Sequence, residues 1–516
     1  MRLQILNLAA SLLFLPGALS HGEPGKPGGP GKPGGPGKPG EPGKPSDGLT
    51  VKTTTGTYTG LVNDTTPDVG QWLGIQYGVA PVGERRFLPA EKAPDVGEAD
   101  AKDYKPICIQ QSGNKTDVFW GLIKEFQNAD EQSEDCLYLN VWAPKKPKKE
   151  KLPVIVWVCG GGFREGGGHA PYQVPDQWIQ RTQTHLVVTF NYRLNVFGFP
   201  GSPAADQNAG FTDIRLVNEW VRDNIAGFGG DPDRVVLYGQ SAGGNAVASY
   251  GYAYPEDPIV TGLIASSGSV GATNSANNSA FHDLAQVVGC ANLTSTEELA
   301  CMQKVDALEL QKYVEGIKTQ AFKGSFRPIA DGVTAFPNNT ERLEKGLIAK
   351  IPMITGYNFN EGAAFLPFDP NATAPPAGTI PGGNGLGCGV VTEANARASH
   401  GLRTYQYLVA GNFSNITPRY WLGGMHSSEI PLVFGTHFEF RGNSTEFEWQ
   451  TSYAMEAYWV SFAANSSAAP VDHLGQPWPE YSTDADGQVV VFGNATVPGG
   501  ASYAELASVA NQYSGC

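Results

Sequence analysis

The hydrophobic positions of this chain fall into short apolar runs that alternate with longer stretches of helical periodicity. Two of the longer stretches, residues 214–225 and 452–462, are predicted helices. The short runs are typical of strands buried on both faces of a sheet. Their alternation predicts an α/β fold with a large, mostly parallel central sheet flanked by helices. The predicted strands are residues 72–79, 137–142, 154–158, 186–191, 235–237, 263–266 and 351–355.

The first fifty residues do not share this pattern. Residues 1–20 combine one arginine, a short apolar run and a small-x-small end, which predicts a secretory signal peptide. Residues 21–50 contain Gly-x-Pro triplets, a collagen-like repeat that we interpret as a polyproline-II spacer, with a triple helix as the alternative. Residues 51–516 contain no low-complexity linker and are predicted to form one large domain with insertions. No later run is long enough for a membrane-spanning helix, so stable membrane insertion is not expected.

Glycosylation signals and charge narrow the set of partners. The chain has a formal net charge of −14; because residues 22–45 contribute +2 and Arg2 contributes +1, residues 46–516 carry −17. The acidic charge of residues 46–516 argues against nucleic acid or an anionic membrane as partner. Eleven N-x-S/T sequons agree with the signal peptide in predicting a secreted, extracellular glycoprotein. The sequons are at Asn63, Asn114, Asn277, Asn292, Asn338, Asn371, Asn412, Asn415, Asn443, Asn465 and Asn494.

The first candidate for chemistry follows the predicted strand 235–237. Gly239 and Gly243 flank Ser241 in the pattern G-x-S-x-G, and a helix of small residues follows. This pattern is that of a nucleophile elbow, a sharp strand-to-helix turn that lifts a serine hydroxyl clear of the sheet. The turn needs residues without bulk on both sides of the serine, and it directs the amide of Ala242 toward an attacked carbonyl. Ser241 is therefore a predicted nucleophile, with Ala242 as an oxyanion donor.

A second glycine-rich turn follows the predicted strand 154–158. The run WVCGGGF at 157–163 ends an apolar strand in three glycines, whose missing Cβ atoms let backbone N–H groups approach a substrate oxygen. A plain glycine-rich turn is the alternative interpretation.

Several motifs in a fixed order resemble those of the type-B carboxylesterases, the family that includes cholinesterases and fungal lipases. The chain is identified as a member of the secreted fungal type, with a collagen-like leader outside the similarity. The resemblance covers about residues 58–435, and it implies an α/β-hydrolase fold and a serine carboxylic-ester hydrolase that works through an acyl-enzyme. The motifs are GIQY (74–77), RRF (85–87), EDCLYLNV (134–141), NYR (191–193), GF (198–199), FGGDP (228–232) and GQSAG (239–243).

The resemblance also assigns partners to Ser241. A serine nucleophile needs a base and an orienting carboxylate, expected in the chain order Ser, Asp or Glu, His. The run GGMHSSEIPLVFG at 423–435 looks like the family's histidine loop and implies His426 as the base. The run GYNFNEG at 356–362 matches the family's glutamate turn and implies Glu361 as the acid.

The glycine turn has a role in the same family. The resemblance implies that Gly161 and Gly162 donate to the oxyanion, with Ala242 as the third donor. Cys159 stands where many members carry histidine, which leaves open how the turn is braced from behind. No metal or cofactor is expected, because the chain has no C-x-x-C, H-E-x-x-H or phosphate-cradling loop. The expected partner is a small-molecule or lipid ester, and the oligomeric state is open.

Seven cysteines in a chain with a signal peptide suggest disulfide bonds with one thiol left over. The resemblance implies two of these bonds, and a third is a guess that would tie down the C-terminus. The odd thiol, Cys159, is predicted to be unpaired and buried, because an apolar strand leads into it. The implied bonds join Cys108 to Cys136 and Cys290 to Cys301, and the guessed bond joins Cys388 to Cys516.

Two alternatives to a small-ester carboxylesterase stay open. The first is a triacylglycerol lipase with a lid in the loop closed by Cys108 and Cys136, since four apolar residues there occupy one helical face. Ordinary packing of that face is the favoured interpretation, because Gly121 weakens a short helix. The second alternative is a non-catalytic adhesion or binding member of the fold, which the presence of a complete set of candidate catalytic residues argues against. The apolar face consists of Phe119, Leu122, Ile123 and Phe126.

Overall fold

The computed structural model of this chain describes residues 48–111, 117–128, 131–270, 279–315, 325–376, 385–484, 487–495 and 502–508. The predicted signal peptide, the Gly-x-Pro triplets, the sequons at Asn114 and Asn277, and Cys516 lie outside the described residues.

Strands and short helices alternate along the described residues. The strands are β1 (Thr50–Thr53), β2 (Gly56–Thr59), β3 (Leu61–Asn63), β4 (Thr66–Gln76), β5 (Glu98–Asp100), β6 (Ile107–Cys108), β7 (Gln132–Ser133), β8 (Tyr138–Pro144), β9 (Leu152–Val158), β10 (Leu186–Phe190), β11 (Gly230–Gln240), β12 (Gly262–Ser266), β13 (Met353–Asn358), β14 (Thr404–Val409), β15 (Gln488–Asn494) and β16 (Ser502–Ser508). The helices are α1 (Val118–Leu122), α2 (Asp176–Thr182), α3 (Asn195–Gly198), α4 (Ala209–Asn224), α5 (Ala242–Ala253), α6 (Ser279–Val287), α7 (Ser295–Met302), α8 (Ala307–Val314), α9 (Asn339–Glu344), α10 (Gly385–Ser399), α11 (Ile430–Phe434) and α12 (Glu446–Ala464).

One sheet of eleven strands organises the fold, in the order β16-β15-β14-β13-β12-β11-β9-β10-β8-β4-β3. Its centre, from β10 to β15, is parallel, whereas β16 on one side and β8, β4 and β3 on the other pair antiparallel. Two small sheets, β1-β2-β5 and β6-β7, lie outside it. Parallel strands need crossover connections, which the intervening helices supply.

The central strands β9, β10, β12, β13 and β14 are buried along their whole length because helices cover both faces of the sheet. On β9, Val154, Val156 and Val158 face one apolar cluster, while Ile155 and Trp157 face another. Side chains of α4 and α5 belong to the first cluster, and those of α2, α11 and α12 belong to the second. Burial on both faces is why the strand pattern reads as continuous runs rather than as alternation.

The sequence prediction of the fold missed several strands, including two in the parallel centre of the sheet. Each of the seven predicted strands overlaps an observed one, but the prediction contained none of β14, β15 and β16. The folded body begins slightly earlier than the predicted boundary at residue 51, since β1 starts at Thr50. The helical face predicted over residues 119–126 is wrong in its extent: α1 ends at Leu122, and a separate 3-10 turn, Lys124–Phe126, follows.

Candidate active site

The predicted site residues gather at the carboxyl edge of the parallel strands. The glycine turn follows β9, Ser241 follows β11, Glu361 follows β13, and the loop that holds His426 comes after β14. Clefts at this edge are the usual ligand sites of open α/β sheets. The topology therefore collects in one place residues that lie far apart in the chain.

Ser241 occupies a strained turn between β11 and α5. Its backbone has φ 58° and ψ −122°, a conformation that residues other than glycine rarely adopt. Two hydrogen bonds of 2.8 Å hold the turn: the Ser241 N–H donates to the carbonyl of Ser266, and the Asn245 N–H donates to the carbonyl of Ser241. The conformation and its fixation fit the predicted nucleophile elbow.

The glycines on either side of Ser241 are required by space. A Cβ atom on Gly239 would lie 2.4 Å from the carbonyl oxygen of Gly243. A Cβ atom on Gly243 would lie 2.1 Å from the carbonyl oxygen of Val158, at the end of β9. Both distances are far inside van der Waals contact, so no residue with a side chain fits either position without movement of the backbone.

His426 and Glu361 form a buried pair. Nδ1 of His426 is hydrogen-bonded to Oε2 of Glu361, and the two residues are 4% and 1% exposed. The other carboxylate oxygen of Glu361 accepts from the hydroxyl of Ser267 at 2.6 Å and from the N–H of Asn358 at 2.7 Å. Burial disfavours the charged imidazole, but the Glu361 carboxylate outweighs burial and raises the pKa of His426.

The free nitrogen of His426 faces Gln240. Nε2 of His426 lies 3.2 Å from Nε2 of the Gln240 side chain, which is 2% exposed. Because Glu361 holds Nδ1, Nε2 is the nitrogen that accepts from this amide. Among the described residues, no hydrogen bond joins His426 to the Ser241 hydroxyl, although both line one cavity. Catalytic hydrogen bonds of this kind often form only when substrate is bound.

The glycine turn presses against the elbow. A Cβ atom on Gly160 would lie 3.0 Å from Cβ of Ser241, and Gly161 and Gly162 have φ values of 115° and 65°. Within the described part of the chain, the backbone N–H groups of Gly161, Gly162 and Ala242 donate to no acceptor, and the three residues line the same cavity as Ser241. Unpaired amides at the entrance of a helix favour an anion. This is the arrangement expected of the predicted oxyanion donors.

Hydrogen bonds from two side chains brace the backbone at Cys159 and Gly166, beside the glycine turn. The hydroxyl of Tyr192 donates to the carbonyl of Cys159 at 3.0 Å. The side chain of Gln110 makes two bonds to the backbone of Gly166, of 2.9 and 2.7 Å. The thiol of Cys159 is unpaired and buried, as predicted, and burial raises the pKa of Cys159 to about 12.

A cavity of about 550 Å³ opens over these groups. Its polar floor contains the glycine turn, Ser241 and His426, and Asn245 and Ser249 of α5 line it one helical turn apart. Aromatic side chains supply much of the apolar lining. They are Phe119, Trp120, Phe126, Phe163, Phe211 and Phe365. The cavity is of the size and composition that suits a small organic ligand.

Comparison with known proteins matches residues 47–378 and 384–507 to the group described as the Carboxylesterase family. The chain belongs to this family. It is similar to a chlorogenic acid esterase of Aspergillus niger, at 44% identity over 437 residues that cover 82% of this chain and 84% of that protein. It is also similar to secreted lipase 5 of Gibberella zeae, at 38% identity over 81% of this chain and 86% of that protein. An acetylcholinesterase of Bungarus fasciatus is 30% identical over 84% of this chain and 81% of that protein.

These findings confirm the predicted α/β-hydrolase fold and the predicted enzyme class. This carboxylesterase is a carboxylic ester hydrolase with a large, mostly parallel sheet and flanking helices.

The carboxylesterase also contains a buried acid that the sequence prediction missed. Glu429 lies three residues after His426 and is fully buried; its Oε2 accepts from the side-chain amide of Asn358 at 2.6 Å. Its Oε1 has no hydrogen-bond partner among the described residues. Burial, with the nearby Glu361 carboxylate, raises the pKa of Glu429 to about 7. Gln240 was missed as well; both residues lie inside the quoted motifs, but nothing in the motifs indicates where their side chains point.

The other described histidines of the carboxylesterase do not line the cavity, and the competing acids have structural roles. His185 is buried against Trp178, and burial lowers its pKa to about 3. Asp331 accepts from three backbone N–H groups of its own turn, and Asp369 accepts from the N–H of Asn371. The remaining histidines outside the cavity are His169, His282, His400, His437 and His473.

The covalent framework agrees with the implied pairings. Cys108 is bonded to Cys136, and Cys290 is bonded to Cys301. Cys388 is also disulfide-bonded. In the described part of the chain, no cluster of three His, Cys, Asp or Glu side chains is placed to hold a metal ion. None of the described helices combines the length and hydropathy needed to cross a bilayer.

Proposed function

We propose that this carboxylesterase is a secreted serine esterase that works through an acyl-enzyme on Ser241. In this proposal His426 is the general base, Glu361 orients it, and the amides of Gly161, Gly162 and Ala242 bind the oxyanion. The observation that carries the proposal is the convergence on one cavity of a strained serine, three unpaired amides and a histidine held by a buried carboxylate. No ordinary packing role accounts for all three features.

In the first half-reaction, the hydroxyl oxygen of Ser241 attacks the ester carbonyl as its proton passes to Nε2 of His426. The carbonyl oxygen becomes an anion bound by the three amides. Collapse of this intermediate breaks the bond to the alcohol, which leaves with the proton from His426, and the acyl group stays on Ser241. Water then attacks the acyl group as its proton passes to His426. The bond to Ser241 breaks, Ser241 takes back the proton, and the carboxylic acid is released. Glu361 stays ionised and stabilises the imidazolium.

Proton transfer requires His426 to exchange one partner for another. Nε2 now faces the Gln240 amide at 3.2 Å, so it must accept from the Ser241 hydroxyl in place of that amide. The change is confined to side-chain rotations within the cavity. Until substrate binds, Gln240 therefore helps to keep the imidazole in the orientation in which Nδ1 is hydrogen-bonded to Glu361.

A serine-directed phosphonate tests the proposal. The reagent should label Ser241 in the wild type, and peptide mapping should find no label in Ser241→Ala. That variant should also lose ester turnover while keeping the far-UV circular dichroism of the wild type. Label on a peptide from elsewhere, or turnover retained by Ser241→Ala, would show that another residue is the nucleophile.

We also propose that residues 1–20 are removed on secretion and that residues 21–50 form a collagen-like spacer before the catalytic domain. The disulfides and the similarity to a secreted lipase support an extracellular location. The sequons are not equivalent: Asn415 is buried, and its amide donates to His437 and Ser444 at 2.8 and 2.9 Å. The secreted protein should begin at residue 21. Glycan mapping of it should find Asn415 unmodified.

A triacylglycerol lipase is the second candidate, because one relative is named a secreted lipase. The lid of this candidate would be the segment 117–126, and its contacts argue against movement. The N–H of Val118 donates to Leu366 at 2.8 Å, and the ring of Phe368 lies so close to Gly121 that a Cβ atom there would be 2.4 Å away. Arg441 donates to the carbonyl of Leu122 at 3.0 Å and pairs with Glu125.

Interfacial kinetics separate the two candidates. A lid predicts a jump in rate on long-chain esters above their solubility limit, diminished by Phe119→Ser with Phe126→Ser. An esterase with a fixed segment predicts smooth saturation through that limit and a preference for short or aromatic acyl groups. The contacts above favour the second result.

A further inference from the structure

Two arginines that line the cavity lack the interaction partners that the other described arginines have. Arg164 directly follows the glycine turn, and Arg327 precedes Pro328; both are exposed, and both line the cavity that contains Ser241. Within the described residues, neither guanidinium has an ion pair, a hydrogen bond or an aromatic ring as partner. The guanidinium of every other described arginine has at least one. Those are Arg85, Arg86, Arg181, Arg193, Arg215, Arg222, Arg234, Arg342, Arg397, Arg403, Arg419 and Arg441.

The charge of the protein makes this placement informative. The chain carries a formal net charge of −14, so its overall charge repels anions. Acidic residues outnumber basic ones, 50 to 36, and in such a chain an arginine has many possible carboxylate partners. The two arginines without a partner among the described residues nevertheless line the cavity that contains Ser241.

The acids of the cavity do not neutralise these arginines. Asp117 uses its carboxylate to accept from the N–H of Trp120 at 2.9 Å, at the start of α1. Glu165 is buried, 6% exposed, and already has an interaction partner. The guanidinium groups therefore present donors that a molecule in the cavity can use.

We propose that Arg164 and Arg327 bind a free carboxylate that the substrate carries in addition to its ester, so that the preferred substrates are anionic esters. Arginine suits this role because its planar fork matches a carboxylate with two parallel N–H bonds. The inference rests on the proposed esterase function of Ser241 and names its substrate class. The carboxylate belongs either to the alcohol that leaves or to the acyl group that stays on the enzyme.

Matched pairs of esters test the proposal and locate the carboxylate. The first pair is 4-carboxyphenyl phenylacetate and its methyl ester, which differ in charge on the alcohol side. The second pair is 4-nitrophenyl hydrogen adipate and 4-nitrophenyl methyl adipate, which differ on the acyl side. The quantity measured for each pair is kcat/KM of the anionic ester divided by kcat/KM of the neutral one. This ratio cancels any effect of a substitution on the chemical step or on the amount of folded enzyme.

In at least one pair, Arg164→Gln with Arg327→Gln should lower the ratio about tenfold, mainly through KM of the anionic ester. The control Arg222→Gln removes one positive charge from α4, outside the cavity, and should leave the ratio as in the wild type. High salt should lower this ratio in the wild type, because salt screens the attraction between exposed charges. The pair that responds identifies the side that carries the carboxylate.

An unchanged ratio in both pairs would overturn the proposal. A fall of the same size in Arg222→Gln would also overturn it, since net charge rather than the cavity would then be responsible. Failure of the underlying esterase function would look different: the wild type would hydrolyse neither member of either pair.

Discussion

The two halves of the candidate site are held in place by different forces. The nucleophile half contains Ser241 and the glycine turn, and it is fixed by close backbone contacts between β9, β11 and α5. The base half contains His426, Glu361 and Glu429, and it is fixed by buried ionisable side chains and their hydrogen bonds. The first half should therefore respond to the volume of a substituted side chain. The second should respond to charge and to pH.

The largest expected effect comes from removing a charge in the base half. Glu361→Gln keeps the shape of the side chain but cannot stabilise an imidazolium, and it donates rather than accepts toward Nδ1 of His426. Loss of the orienting carboxylate should lower kcat by a factor of about 10⁴. Steady-state kinetics on a 4-nitrophenyl ester measure the loss.

The matched control is Asp369→Asn, because Asp369 is an exposed acid near the site whose contact is to the N–H of Asn371. It should keep most of the activity. A loss below tenfold in Glu361→Gln would mean that a different acid orients His426.

The same division explains what the sequence could predict. The elbow is encoded within five residues, because Gly239, Ser241 and Gly243 specify it by their own volumes. The base half joins Glu361 to His426 across 65 residues, so only a family resemblance assigned them. Glu429 lies inside a recognised motif, yet the motif does not indicate that its side chain bonds to Asn358 at the end of β13. The apolar periodicity likewise overestimated the helix after Asp117, which ends at Leu122, where Arg441 donates to the carbonyl.

The next effect should come from adding one methyl group to the nucleophile half. In Gly243→Ala, the new Cβ would lie 2.1 Å from the carbonyl oxygen of Val158, so the elbow or the end of β9 must shift. A shift of about 1 Å in the reacting groups lowers kcat by a factor of about 10². The reduction should be the same across the pH range, because no charge changes.

Gly385→Ala is the control for this substitution, since a Cβ atom on Gly385 meets nothing within 4 Å. It should leave both kcat and the thermal midpoint close to the wild type. Wild-type kcat in Gly243→Ala would show that the elbow tolerates volume and would remove the distinction between the two halves.

Glu429 makes the base half sensitive to pH in stability as well as in rate. Its pKa is raised from 4.5 to about 7, so the folded state holds the proton more tightly than the unfolded chain. The free energy of unfolding therefore falls as pH rises from about 4.5 through about 7. Glu429→Gln cannot ionise and keeps an acceptor for Asn358. It should reduce the loss of stability between pH 5 and pH 8 by up to about 3 kcal/mol.

Denaturant unfolding at the two pH values, on wild type and Glu429→Gln, measures this difference. Other raised carboxyls, such as Glu456, remain in both proteins and cancel in the comparison. Equal pH dependence in the two proteins would show that Glu429 titrates normally.

The smallest expected effect concerns Cys159, which lies directly before the glycine turn of the nucleophile half. Its thiol forms no disulfide bond, and its carbonyl accepts from the Tyr192 hydroxyl at 3.0 Å. Cys159→Ala removes only the sulfur and keeps that carbonyl, so kcat/KM should change less than about threefold and stability should fall by about 1 kcal/mol. Tyr192→Phe, which removes the bond itself, should lower kcat/KM further, because the turn then loses a fixed point behind its amides. If Cys159→Ala proves the more damaging of the two, the thiol rather than the backbone braces the oxyanion turn.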